Sequence, residues 1–206
     1  TTTSYPVIRY QRVGEMAQIA IIRTEQRDRL RKNQSTGGLD RIANGIGRDG
    51  QPKYKQELVV HGLYLPGSNM QVKNGDDFVT PEAGARVRLI LKGMAFGKFI
   101  EARRSHRGGK LNVGDIIITG TDQAQCYDQD GNIKGKAITS QADADRVPRG
   151  VTVGFYGPIE LAEGQDAAWI SKAEDEFLAD QKAQQEAKAI PADSGNRSWL
   201  DDESGF

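Results

Sequence analysis

Cysteine is nearly missing from this chain. Cys126 stands alone, which excludes an internal disulfide framework and any cysteine-rich zinc site. Histidine is almost as scarce, with only His61 and His106. Apolar runs are short: none approaches the ~20 residues of a membrane span, and no charged-then-apolar leader opens the sequence. The expected setting is a reducing cytoplasm. Acidic residues are thin in the first half and basic residues in the second. Residues 1–110 hold 20 Lys or Arg against 10 Asp or Glu, a balance of +10, while residues 111–206 hold 8 against 18, a balance of −10. The net charge of zero hides this split, which suggests a basic surface for a polyanion and an acidic tail. The plainer alternative is a set of solvated faces with an accidental bias.

Glycine is plentiful, 24 of 206 residues, and it favours turns and bent strands over long helices. Strand-like runs dominate residues 1–161: "AQIAII" (17–22), "ELVVHGLYL" (57–65), "ARVRLILKGMAFGKFI" (85–100), "VGDIIITGT" (113–121) and "GVTVGFYGPIEL" (150–161). Gly, Asn, Asp and Pro clusters separate them. Short strands without helical alternation predict a mainly β body, a barrel or sandwich. The pattern then changes. Trp169, Ala173 and Phe177 recur at a spacing of four, flanked by Ile170 and Leu178, which predicts one amphipathic helix within 162–190 with Asp166 as N-cap. Pro191 stops it, and "PADSGNRS" reads as a spacer within the segment 191–206.

Several motifs look chemical and fail on context. "GIGRDG" (45–50) has dinucleotide-loop glycines but no following helix, so a glycine-rich loop is expected. "GMAFGKF" (93–99) is one residue short of a phosphate loop, has Phe99 where a hydroxyl is needed, and lies inside a strand pattern. "DQDGN" (128–132) reads as a hairpin turn rather than a calcium loop. His61 is expected to be a packed or edge strand residue and His106 part of a basic loop. Neither pairs by sequence with a nucleophile or a ligand set. No enzymatic activity, cofactor or metal is expected, although a triad can assemble from distant residues.

The informative run is "RVRLILKGMAFGKFI". Side chains alternate faces along a strand. Read as one strand, its odd positions, Val87, Leu89, Leu91, Gly93, Ala95, Gly97 and Phe99, are apolar or small and face a core. Its even positions interleave Arg86, Arg88, Lys92 and Lys98 with Met94 and Phe96. Cations follow phosphates and flat rings stack on bases, the combination expected for single-stranded nucleic acid. On the other reading, long basic stems merely cover a solvent face. Neighbouring segments add charge. "EARRSHRGGK" supplies Arg103, Arg104, Arg107 and Lys110 with no counter-charge after Glu101. "RTEQRDRLRKNQSTGG" supplies Arg29, Arg31 and Lys32, and "RDGQPKYKQ" supplies Arg48, Lys53, Tyr54 and Lys55. Three basic loops on a β body suggest a groove that follows a phosphate backbone without reading sequence.

The chain closes on "SWLDDESGF". A basic β barrel of five or more strands, an acidic C-terminal region, a spacer and an acidic tip ending in Phe206 together resemble the single-stranded-DNA-binding proteins of bacteria and phages. The tip match rests on Asp201, Asp202, Glu203 and Phe206, with Trp199 and Leu200 extending its apolar part; Gly205 stands where the bacterial tip usually has proline. The resemblance implies an OB-like barrel, single-stranded DNA as ligand, and replication or recombination proteins as partners of the tip. It also implies a host cytoplasm if the gene is a phage's, and homo-oligomers are compatible with it. Two further hypotheses stay open. One is a β-rich virion subunit whose C-terminal helix and tail pack on a neighbour. The other is an enzyme acting on nucleic acid, disfavoured by the lack of an acid cluster in the basic half.

Overall fold

The computed structural model describes residues 5–74, 76–164, 168, 170–172, 175, 179 and 182. In chain order the strands are β1 (Ile8–Arg9), β2 (Met16–Asp28), β3 (Leu30–Lys32), β4 (Leu39–Arg41), β5 (Ala43–Ile46), β6 (Pro52–Tyr54), β7 (Gln56–Tyr64), β8 (Gln71–Asn74), β9 (Asp77–Val79) and β10 (Arg86–Lys92). Helix α1 (Met94–Ser105) follows. Then come β11 (Ile116–Gly120), β12 (Gln123–Tyr127), β13 (Ile133–Ile138), helix α2 (Gln141–Asp145), β14 (Thr152–Tyr156) and β15 (Ile159–Ala162). The protein is mainly β. Among the described residues, no helix is long and apolar enough to cross a membrane.

The central sheet runs in the order β10-β7-β2-β11-β15, with every neighbour antiparallel. Period-two alternation puts Ala17, Ile19 and Ile21 of β2, Leu58 and Val60 of β7, and Val87, Leu89 and Leu91 of β10 into one buried cluster. Burying each large aliphatic side chain is worth about 1.5–3 kcal/mol. Strand β2 serves two partners, pairing β11 over Met16–Ala20 and β7 over Ile19–Asp28. Its register slips between Ile21 and Arg23, so one residue is left over and the outward set becomes Arg23, Glu25 and Arg27. Gly62 sits opposite this bulge, where a Cβ would collide with the Ala20 carbonyl oxygen and the Ile19 side chain. Only glycine permits that approach.

No sheet closes into a barrel among the described residues. The outer edge of β10 is taken by the N-terminal segment: Val7 bridges Arg88 in parallel, and the Arg88 amide donates to Pro6 O at 2.9 Å. This segment continues into a second sheet, β1-β8-β9. A third, β13-β12-β14, is inserted between β11 and β15. The run 150–161, read as one strand, is two strands in different sheets, broken at Gly157 and Pro158. The expected hairpin turn at 128–132 is present: Asp128 Oδ1 accepts from the amides of Asp130 and Asn132, and Gly131 takes φ 83°. The 45–50 segment likewise turns between β5 and β6. Beyond β15, residues 168, 170–172, 175, 179 and 182 are helical. The spacer and tip at 191–206 lie outside the described residues.

The run 85–100 corrects the sequence reading. It is a strand only to Lys92. Gly93 then takes φ 53°, and α1 begins at Met94. A positive φ is open to glycine and strained for other residues, so Gly93 lets the chain leave the sheet. Phe99 does face the core, at 1% exposure, but from a helix, with Ala95, Phe96 and Ile100 packed against the same cluster. Gly97 lies exposed on α1 with nothing within 4 Å of a Cβ added there. Gly97→Ala is expected to raise stability by about 0.5–1 kcal/mol, since the helix interior gains propensity without a clash. Urea unfolding of the variant reads this directly. A neutral or destabilising result would count against a helix here.

Candidate nucleic-acid interface

Residues 29–55 join β2 to β7 as two hairpins, β3–β4 and β5–β6, on a common junction. Three backbone bonds close the junction in a ring. The Arg29 amide donates to Lys55 O (2.7 Å), the Lys55 amide to Ile42 O (2.8 Å) and the Ile42 amide to Arg29 O (3.0 Å). These bonds satisfy backbone groups where three ladders meet, so the arm is anchored to the sheet. It carries seven cations, Arg29, Arg31, Lys32, Arg41, Arg48, Lys53 and Lys55, against Asp40 and Asp49. Arg41 pairs with Asp28 at 3.2 Å and lies over the Tyr54 ring at 5.2 Å. Among the described residues, the other six cations have no ionic partner. Asp40 is engaged by Asn33 Nδ2 at 2.7 Å. Cross-strand pairing places Leu30, Lys32, Leu39 and Arg41 on one hairpin face. Leu30, Leu39 and Ile46 are 50%, 67% and 77% exposed.

The outward side of the central sheet continues this charge. Register sets the rows across β2, β7 and β10: Arg23–His61–Arg88, Glu25–Val59–Ile90 and Arg27–Glu57–Lys92. In the last row Glu57 binds Arg27 at 2.8 Å and Lys92 at 3.4 Å. In the first, burial together with the Arg23 charge pulls the His61 imidazole below its ordinary value, against the opposing pull of Glu25. It is therefore neutral at pH 7, with Glu25 Oε2 3.6 Å from Nε2. Arg88 Nε donates to Tyr5 O at 2.8 Å. Part of the outward side is covered: Ile170 is buried against Ala20, Leu63 and Leu65.

The sequence-predicted site residues therefore divide. Arg86, Arg88 and Lys92 share the outward face of β10, and Arg29, Arg31, Lys32, Lys53, Tyr54 and Lys55 share the arm. Phe96, Lys98, Arg103 and Arg104 do not join them, because they lie on α1. Lys98 Nζ donates to Gly157 O at 2.8 Å and sits 5.6 Å from the Tyr156 ring centre. Arg103 Nε donates to Gly109 O at 3.1 Å. Arg104 and Lys110 are exposed.

Counter-charges missing from the local sequence arrive from other strands. Arg107 binds Glu163 at 2.9 Å and Asp115 at 3.3 Å, and the buried His106 binds Asp115 at 2.9 Å. His106 is thus a staple between the end of α1 and the start of β11, not part of a basic loop. Arg23 and Arg27 were missed by the sequence reading; the signal was the alternation Arg23, Glu25, Arg27, which carries β2 past Ile22. The partner-binding candidates Trp199, Asp201, Asp202, Glu203 and Phe206 lie outside the described residues.

No group of three or more His, Cys, Asp or Glu suited to a metal occurs among the described residues. Comparisons with protein-family models, curated proteins and solved structures find no match.

Proposed function

We propose that this protein binds single-stranded DNA with little sequence preference, in replication or recombination, and recruits partner proteins through its C-terminal tip. The observation that carries this reading is the arm at 29–55. It holds six cations that have no ionic partner among the described residues, a guanidinium stacked on Tyr54, and a junction that fixes both hairpins to the sheet. Cations interleaved with a ring suit a flexible strand, whose bases are free to stack. The strand order gives second support. Counted along the chain, the central sheet runs third-second-first-fourth-fifth, with α1 between the third and fourth strands. That order matches the plan of the OB fold, a five-stranded, partly open Greek-key barrel. In that plan, the second and third strands and the first–second and fourth–fifth connections carry the oligonucleotide. Here they correspond to β7, β10, the arm and residues 121–158. The segment 199–206 offers its acids and the Phe206 ring to a basic, apolar pocket on a partner.

A subunit of a virus particle is the second reading. It draws on Phe78 and Val79, 43% and 41% exposed on the edge strand β9, which suit pairing with a neighbour. One titration separates the two. Anisotropy of labelled oligonucleotides, mixed-sequence and homopolymeric, is followed between about 50 and 200 mM salt. Each neutralised phosphate adds about −0.7 to the log–log slope, so six arm contacts give about −4. Binding that ignores salt, or no binding at low salt, rejects the nucleic-acid reading.

A further inference from the structure

β10 and β15 are the two edge strands of the central sheet, and a cavity of about 220 Å³ is lined by Ile90 and Lys92 of the one and Ile159 of the other. It is lined by Tyr10, Ile90, Lys92, Thr119, Phe155 and Tyr156, among others. We propose that this cavity is a base pocket: it takes one nucleobase from the bound strand, while Lys92 at its mouth holds the adjoining phosphate. The inference rests on the single-strand reading above and adds to it a site away from the arm.

Four observations support it. The volume lies under the ~300–1,000 Å³ of sites for drug-sized ligands, which suits a planar heterocycle rather than a whole nucleotide. Tyr156 in the lining supplies a π-face, and its ring is held in place: its hydroxyl donates to Gln123 Oε1 at 2.9 Å and Lys98 Nζ lies 5.6 Å from its centre. A preset wall loses little freedom when a base stacks on it. The polar content is small and paired. Tyr10 Oη and Thr119 Oγ1 are 2.7 Å apart, and that bond uses one of their two O–H donors. The other donor remains for the edge of a base. Burial pushes the Tyr10 hydroxyl up to about 12, so it keeps its proton at any working pH. Finally, Ile90 and Lys92 belong to the outward face of β10, in register with Val59 and Glu57, so the cavity adjoins the basic face.

The test uses the full chain and an oligonucleotide bearing 5-iododeoxyuridine, photocrosslinked at saturation and mapped by mass spectrometry. The expected result is a crosslink at Tyr10, Phe155 or Tyr156. In parallel, Tyr156→Leu keeps apolar bulk and removes the ring; it should weaken binding by about 5- to 150-fold, the range for one lost base stack, with an unchanged salt slope. An arm variant, Lys53→Gln, should instead lower the slope and leave the crosslink site unchanged. Crosslinks confined to the arm at Tyr54, or a Tyr156→Leu variant that binds like the parent, overturn the pocket while the single-strand reading stands. An oligonucleotide that does not bind at all overturns both. If Tyr156→Leu does not fold, the crosslink map of the parent protein still decides.

Discussion

Phe99→Ala is expected to lower the unfolding free energy by about 3–5 kcal/mol, the range for emptying a fully buried aromatic site. Phe99 is 1% exposed and packs in the same cluster as Leu89, Leu91 and Ile117. It is the one buried side chain of α1, so its loss also unseats the helix. For a chain of about this size the drop corresponds to roughly 6–20 °C in Tm. Phe96→Ala should cost less, because Phe96 is only half-buried and packs at the margin of the cluster. Urea unfolding of both variants, read beside the parent, checks the order. A small loss at Phe99 would mean that α1 is not seated where the structure puts it.

The same helix explains what the sequence concealed. Positions 96 and 100 lie four apart, so they share a face both on a strand of period two and on a helix of period 3.6. The strand Arg86–Lys92 alternates cleanly, and nothing in Phe96 or Ile100 contradicts an extension of it. The distinguishing marks were Gly93 and the helix-favouring "EARR" at 101–104. The mainly β body was legible because its core runs are short and rich in apolar and β-branched residues, and β10 alternates along its length. The sheet partners were not, because pairing between β2 and β11 joins residues about a hundred positions apart. The same holds for charge. Arg107 looked uncompensated in "RRSHRGGK", yet its partners, Asp115 and Glu163, come from the two neighbouring strand segments. The basic character of 23–55 was legible because it needs no long-range partner: the cations are local, and the acids near them are few. The cavity between β10 and β15 had no local signal, since Tyr10, Lys92, Thr119 and Tyr156 meet only through topology.

Neutralising four arm cations is expected to have the largest effect on binding. Arg31, Lys32, Arg48 and Lys53 are all exposed and belong to neither the junction nor the Arg41–Tyr54 stack. Replacing all four by Gln should leave the fold intact, because none contributes to the buried clusters. If each meets one phosphate, the log–log salt slope falls by about 2.8, at ~0.7 per contact for single strands. At ~0.1 M salt that is a loss of affinity of roughly 10²- to 10³-fold. The fourfold variant of residues on α1 and beyond it, Lys98, Arg103, Arg104 and Lys110→Gln, is the comparison. Lys98 and Arg103 already donate to backbone carbonyls at Gly157 and Gly109, which holds their charged ends in place, so fewer side chains are free to follow phosphates and the change in slope should be smaller. Melting temperature, measured for both sets, separates binding from folding. Equal slopes in the two sets would move the phosphate track away from the arm and toward α1, and the arm would lose its place as the main contact.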